Sequence, residues 1–267
     1  VRTLAHLSDL HFGSEDPEVV AGLLEDLRAE APSLVVVSGD LTQRARRAQF
    51  RAARAFLEAL PAPWLSVPGN HDIPLFDLAR RMLSPLGRYR RFVGHEDQAW
   101  FRDEALAVVG LNTARADRWK HGRVEEEQAE TLRRRLRALP DEVFKVVVTH
   151  HPFVPPPRED APPIVDGAAH ALAAAEACGV DLMLAGHLHE GYTADVRDHH
   201  LLRRSILVAQ AGTATSHRRR MEPNAYNLIA VEPARVRFDV RRWTGEAFTV
   251  HQSTLYLRNG ERWQRAH

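Results

Sequence analysis

The sequence predicts an α/β fold built on two β-sheets, and three observations carry that prediction. Short, largely apolar runs, Leu34-Val35-Val36-Val37, Trp64-Leu65-Ser66-Val67, Val146-Val147-Val148 and Leu182-Met183-Leu184, read as buried parallel strands. Helical segments separate them, giving the strand-helix-strand rhythm of right-handed crossovers. After His189 the rhythm changes to strands joined by short turns, which predicts an antiparallel sheet packed on the first. The 267 residues, 44% hydrophobic and 27% charged, suit one domain spanning residues 1–267, with no internal repeat or low-complexity tract to divide it.

Taken in order, Val1 to about Ser8 reads as the first strand. Pro17 to Glu30 reads as an amphipathic helix, with Asp16 as N-cap, Pro17 in the first turn and Val20, Leu23, Leu24 and Leu27 at helical spacing. A second helix is expected from about Arg46 to Leu60, stopped by Pro61. Residues 73–104 look less regular; their Arg80, Arg81, Arg88, Arg90 and Arg91 read as a solvated helix face or as a basic rim that attracts phosphate. The run Leu106 to Leu111 reads as a strand ending at Asn112, a residue placed either in a turn or against substrate. Helices are expected over Arg123 to Leu139 and Ala168 to Cys178, and a strand over Asp181 to Ala185. Late strands are expected at Ile206 to Ala209, Ala225 to Val231, Arg235 to Arg242 and Phe248 to Leu257. In the third of these, Val236, Phe238 and Val240 alternate with charged neighbours, and Asn259-Gly260 signals a closing hairpin.

Metal-competent side chains fall in five short blocks at predicted strand ends: Asp9-Leu10-His11, Gly39-Asp40, Gly69-Asn70-His71-Asp72, His150-His151 and Gly186-His187-Leu188-His189. Ligands in open α/β sheets gather at the carboxyl ends of strands, so the blocks converge on one volume. Their composition suits two cations. A pair roughly 3.5–4 Å apart can clamp the attacking and leaving oxygens of a phosphoryl displacement and make a shared water nucleophilic near neutral pH. His, Asp and Asn suit Mn, Fe, Zn or Co, and the absence of Cys ligands from the blocks argues against a structural zinc site. Any one block alone reads as turn chemistry or a satisfied polar residue; the joint pattern does not.

The five blocks, in this order, resemble the calcineurin-like metallophosphoesterase superfamily, whose pattern is D-x-H, G-D, G-N-H-[D/E], H and G-H-x-H. That resemblance implies a four-layer αββα sandwich of two mixed sheets flanked by helices. It implies that Asp9, His11 and His189 hold one metal, that Asn70, His150 and His187 hold the second, and that Asp40 bridges both. His71 matches the histidine that contacts the scissile phosphate and can protonate the leaving group. Asp72 either orients the His71 ring or caps the following segment, and His150 is preferred over His151 as ligand. With Leu7-Ser8-Asp9-Leu10-His11, Ser38-Gly39-Asp40-Leu41-Thr42 and Gly186-His187-Leu188-His189, Asp72 narrows the resemblance to bacterial class III cyclic-nucleotide phosphodiesterases, a group that includes glycerophosphodiesterases. The activity implied is hydrolysis of a small phosphodiester, first a 3′,5′-cyclic nucleotide, by a metal-bridging hydroxide. The alternatives are a glycerophosphodiester, a nucleoside pyrophosphate of lipid A synthesis, a phosphomonoester, a nucleic acid, or a catalytically silent scaffold. Arg218 and Arg219, in the run His217-Arg218-Arg219-Arg220, join Asn112 as candidate substrate contacts.

The formal charge of +1 gives no support for a polyelectrolyte partner such as nucleic acid. Of 36 basic residues only Lys120 and Lys145 are lysines. The one cysteine, Cys178, excludes an intrachain disulfide and reads as a small buried residue. No run reaches the length of a membrane span, and a cytoplasmic location is expected, with a chain that begins at Val1 also compatible with a removed export segment. The sequence leaves the oligomeric state open, a homodimer included.

Overall fold

The computed structural model describes residues 1–95, 99–218 and 222–266. Strands β1 (Arg2–Leu7), β2 (Leu34–Ser38) and β3 (Trp64–Val67) alternate with helices α1 (Pro17–Glu30) and α2 (Arg47–Glu58) and pair in parallel. Asp16 caps α1 as expected, its side chain accepting the Glu18 amide at 3.1 Å. Two short helices, α3 (Leu78–Leu83) and α4 (Gly87–Phe92), occupy the segment that the sequence leaves irregular. A second sheet comes next, made of β4 (Trp100–Arg102), β5 (Leu106–Gly110), β6 (Phe144–Val148), β7 (Leu182–Ala185), β8 (Tyr192–Asp195) and β9 (Leu207–Gln210). Helices α5 (Glu126–Leu136) and α6 (Ala168–Ala177) cross its outer face. Helix α5 begins later than expected because Glu125 ends the loop, its amide donating to Gln128 Oε1 at 3.0 Å.

The last four strands correct the expectation of a separate antiparallel sheet. β10 (Ala225–Glu232), β11 (Arg235–Trp243), β12 (Phe248–Asn259) and β13 (Arg262–Arg265) extend the first sheet, whose order is β13-β12-β11-β10-β1-β2-β3. The crossovers from β1 to β2 to β3 run one way and leave the other edge of β1 with open backbone groups. β10 closes that edge antiparallel, in register from Arg2↔Val231 to His6↔Asn227. The second sheet has order β4-β5-β6-β7-β9-β8 and is parallel between β5 and β9. Its strand β9 is the Ile206–Ala209 run expected among the late strands. The hairpin predicted at Asn259-Gly260 joins β12 to β13, with Gly260 at φ +59°.

Three buried clusters mark the three interfaces of a four-layer sandwich. Val35 and Val37 of β2 face α1 and α2, whereas Leu34 and Val36 face the other sheet. In β6, Val147 meets α5 and α6 while Val146 and Val148 join the central cluster. Strands covered on both faces have no polar side, which is why their sequences are continuous apolar runs. Cys178 is buried at the end of α6. Among the described residues, no helix is long and apolar enough to cross a membrane.

Candidate metal centre

The five polar blocks lie just beyond β1, β2 and β3 of one sheet and β6 and β7 of the other, so the two sheets meet at their carboxyl ends. Asp9, His11 and His189 bring one donor atom each within 4.8 Å of one another. Opposite them, Asn70 Oδ1 lies 3.1 Å from His150 Nε2 and 3.1 Å from His187 Nδ1. Between the two groups stands Asp40, whose Oδ2 is 3.7 Å from His11 Nε2 and 3.5 Å from His150 Nε2. All seven residues expected as ligands are thus together.

These residues fit a pair of cations. Asp9 Oδ1 and both ring nitrogens of His11 are buried without a hydrogen-bond partner among the described residues, a costly arrangement unless something else meets their lone pairs. Neighbouring groups occupy the other atoms and aim the free ones inward, as outer partners of metal ligands do. Asp9 Oδ2 accepts from Ser8 Oγ at 2.6 Å and the His187 amide at 2.9 Å, leaving Oδ1 free. His150 Nδ1 donates to the Ser38 carbonyl at 2.8 Å, and His189 Nδ1 lies 2.6 Å from Thr213 Oγ1, so each turns Nε2 to the centre. Asn70 Nδ2 points outward to the Trp119 carbonyl at 3.5 Å, which directs Oδ1 inward.

Backbone geometry adds to this preparation. Asp9, His11, Asp40, His187 and His189 all have positive φ, between 48° and 76°. Left-handed backbone is uncommon for residues other than glycine and concentrates at functional sites. The motif glycines are required by space. A Cβ at Gly39 would lie 2.5 Å from His150 Nδ1, one at Gly69 2.1 Å from Asp40 Oδ1, and one at Gly186 1.7 Å from Ser8 Oγ.

The charges respond to burial and to one another. Burial lowers His189, and lowers His187 to about 3, which keeps their lone pairs available. Burial also pulls His150 down, but Asp40 and Asp9 outweigh it and lift His150 to about 9. The same Nε2 therefore takes a proton or a cation. Burial works to raise Asp9 and Asp40, yet the surrounding histidines hold both below the usual carboxylate range.

Residues 2–191 match the calcineurin-like phosphoesterase family. The chain belongs to that family. The phosphoesterase is 27% identical over 205 residues to a probable cyclic nucleotide phosphodiesterase of a Synechococcus strain, a match covering 71% of this chain and 74% of the relative. A glycerophosphodiester phosphodiesterase of Enterobacter lignolyticus is 41% identical over 81 residues, covering 26% of this chain and 29% of that enzyme. A 3′,5′-cyclic adenosine monophosphate phosphodiesterase of Escherichia coli is 25% identical over 162 residues, covering 56% of this chain and 55% of that enzyme. Among solved structures, a dimetal phosphatase of Danio rerio superposes with a TM-score of 0.58 at 15% identity, over 91% of this chain and 96% of that one. A purple acid phosphatase of yellow lupin gives 0.68 at 12% identity, over 97% of this chain and 54% of that one. The phosphoesterase is accordingly a metal-dependent phosphoester hydrolase of αββα fold.

The remaining sequence expectations fare differently. His71 sits at the mouth of the centre, where its amide donates to Asp40 Oδ1 at 2.8 Å. Its Nδ1 lies 2.9 Å from the Gln43 carbonyl, an acceptor only, so Nδ1 carries the proton and Nε2 accepts from Arg218 Nη1 at 2.8 Å. Burial lowers the His71 pKa. Neither expected role of Asp72 matches its contacts. It does not meet the His71 ring and does not cap the segment beginning at Ile73. Its Oδ2 accepts the Leu41 and Gly69 amides, and its Oδ1 accepts the Thr42 amide and hydroxyl, at 2.9–3.1 Å. Burial and Asp40 raise it to about 6 against the pull of those four bonds. Asp72 therefore fastens the Asp40 loop to the Asn70 loop. Asp72→Asn places an NH2 against amide donors and is expected to cost about 1–3 kcal/mol by urea unfolding. Manganese titration should show affinity down by about 10–100-fold.

Asn112 is turned to its own loop, Oδ1 accepting the Ala114 amide at 2.9 Å, and it borders a separate cavity beside α5. Both ring nitrogens of His151 are engaged, Nδ1 at 2.7 Å from Thr113 Oγ1 and Nε2 at 2.9 Å from the Lys120 carbonyl, which leaves His150 as the available donor. Arg219 and Arg220 lie outside the described residues. The sequence reading assigns Ser8, Ser38, Thr42, Thr113 and Thr213 no part in orienting the residues of the centre. Ser and Thr next to a motif carry no signal of their own, because their work is to orient a neighbour.

Proposed function

We propose that this phosphoesterase hydrolyses a small phosphodiester at a two-cation centre, with a 3′,5′-cyclic nucleotide the first substrate to test. The observation that carries this reading is the single oxygen, Asp40 Oδ2, set between His11 Nε2 at 3.7 Å and His150 Nε2 at 3.5 Å. Asp9, His11 and His189 would hold one cation, Asn70, His150 and His187 the other, and Asp40 both. The chemistry supplied by such a pair is charge neutralisation at the phosphoryl oxygens and activation of a water near neutral pH.

The chain's own groups do the rest. His71 Nε2 and the Arg218 guanidinium form a donor-acceptor pair at the mouth, where a phosphoryl oxygen would take the Arg218 hydrogen bond in place of His71. Released, His71 Nε2 is free to take a proton from water and pass it on to the leaving alkoxide. Arg219, the next residue, is kept as a second candidate for the same phosphate. The cyclic nucleotide reading draws on the Synechococcus and Escherichia coli relatives, and a glycerophosphodiester is the second reading, favoured by the 41% identity over 81 residues.

The test is turnover of bis(p-nitrophenyl) phosphate, p-nitrophenyl phosphate and 3′,5′-cyclic AMP with manganese or with chelator, for wild type and Asn70→Ala. Diester cleavage that needs the cation and falls at least about a hundredfold in Asn70→Ala is expected. Cleavage that survives chelation, or proceeds unchanged without Asn70, would sink the proposal.

A further inference from the structure

The loop that carries Trp119 is held in place by Arg81, which belongs to no motif, together with two residues of the motif blocks. Arg81, expected on a solvated helix face, is only 4% exposed. Its Nε donates to the Ala116 carbonyl at 2.8 Å, its Nη1 to the Pro74 carbonyl at 3.1 Å and its Nη2 to the Arg118 carbonyl at 2.5 Å. Asn70 takes the next carbonyl, of Trp119, and His151 the one after, of Lys120. Four carbonyls of one short loop are thus tied down, two of them by residues of the metal centre's own blocks.

The loop presents an indole. Trp119 is 57% exposed, and the Arg81 guanidinium lies 4.5 Å from its ring centroid. A large apolar ring left in solvent forfeits the gain of burial, and here the backbone beneath it is fixed by part-buried hydrogen bonds at Ala116, Arg118 and Lys120. A cation behind one face of an indole supports that face electrostatically and leaves the other for a ligand. The ring borders a cavity of about 190 Å³ shared with His71 and Asn70, and the charged groups around that cavity are Arg44, Lys120 and Arg218, all cations.

We propose that Trp119 determines specificity: the flat base of a nucleotide diester stacks on its open face while the phosphate lies at His71 within the rim of Arg44, Lys120 and Arg218. This rests on the phosphodiester reading above and names the substrate class. A glycerol moiety has no planar face to stack, whereas every nucleobase has one, and base-aromatic stacking tolerates any base. Lys120 is placed beside the ring by the same anchored backbone, so the base and its phosphate are recognised by adjacent residues of one loop.

The experiment compares binding of 5′-AMP and glycerol 3-phosphate to the manganese-loaded protein by calorimetry, for wild type, Trp119→Ala and Trp119→Phe. Wild type is expected to prefer AMP by about tenfold or more. Trp119→Ala should erase the preference while holding glycerol 3-phosphate affinity within about twofold, and Trp119→Phe should restore most of it. With 3′,5′-cyclic AMP as substrate, Trp119→Ala should raise KM and change kcat little. A preference that persists in Trp119→Ala overturns the proposal, as does its absence in wild type, whether both ligands bind or neither. Equal loss of both ligands in Trp119→Ala also overturns it, since that is the result of a merely structural loop. A Trp119-dependent preference for AMP in a protein that cleaves no diester would leave this assignment standing and remove the phosphodiester reading instead.

Discussion

Asp40→Asn is expected to lower diester turnover by about a thousandfold or more and to abolish the rise in Tm that manganese gives the wild type. The substitution is nearly isosteric. Asparagine can keep the bond from the His71 amide through its Oδ1, now 2.8 Å from that amide, so the loop should hold its shape and the far-UV spectrum should not change. What changes is Oδ2, the atom between His11 Nε2 and His150 Nε2. An NH2 there offers hydrogens where the two cations would need a shared anionic oxygen, and neither set of ligands keeps it. Groups that meet developing charge directly are worth about two to three orders of magnitude each, and a shared ligand of both cations affects the two at once. The measurement is metal content by elemental analysis together with Tm and kcat. Full loading of two cations per chain, or turnover near wild type, would show that Asp40 does not hold the centre together.

The second large effect comes from a residue with no side chain. Gly69→Ala is expected to cost about 1–3 kcal/mol of stability, as overpacking does, and to cut kcat by about a hundredfold with manganese saturating. Gly69 is extended at φ −105°, a conformation open to alanine, so the objection is space and not backbone. The added Cβ would come within 2.1 Å of Asp40 Oδ1 and 2.3 Å of the Asp40 backbone nitrogen. A flexible side-chain tip could move away, but a backbone nitrogen cannot move without carrying its carboxylate along. An ångström-scale displacement of a positioned group is enough for a loss of that order. Urea unfolding and saturating-metal kinetics separate the two consequences, and a folded Gly69→Ala variant with wild-type kcat would refute the argument.

Much of the centre is legible in the sequence because its groups are chemically scarce in combination. His, Asp and Asn at the ends of apolar runs announce themselves, and the seven ligand candidates lie together as the blocks imply. The sheet assignment of the late strands is harder to read. Alternation in Val236, Phe238 and Val240 reports a half-covered antiparallel strand, but nothing in that alternation says which edge the strand joins. The unfilled edge of β1 makes the choice, a property of the first 38 residues and not of the last hundred. Arg81 is the converse case. A run of arginines normally means solvated charge, and only the loop carbonyls of Ala116 and Arg118, some 35 residues downstream, turn one of them inward. Asp72 shows a third kind of gap: its identity is visible, but its partners are amides, and amides look the same at every position.

The left-handed backbone at Asp9, His11, Asp40, His187 and His189 decides which substitutions can be interpreted. Alanine tolerates that conformation poorly, at about 1–2 kcal/mol per residue, whereas asparagine enters it readily. An alanine scan of these positions would therefore charge the metal with losses that belong to the chain. Asparagine removes the native donor and keeps the turn, so the loss in the asparagine variant reports what each side chain gives to the cation, and the further loss in alanine reports the backbone.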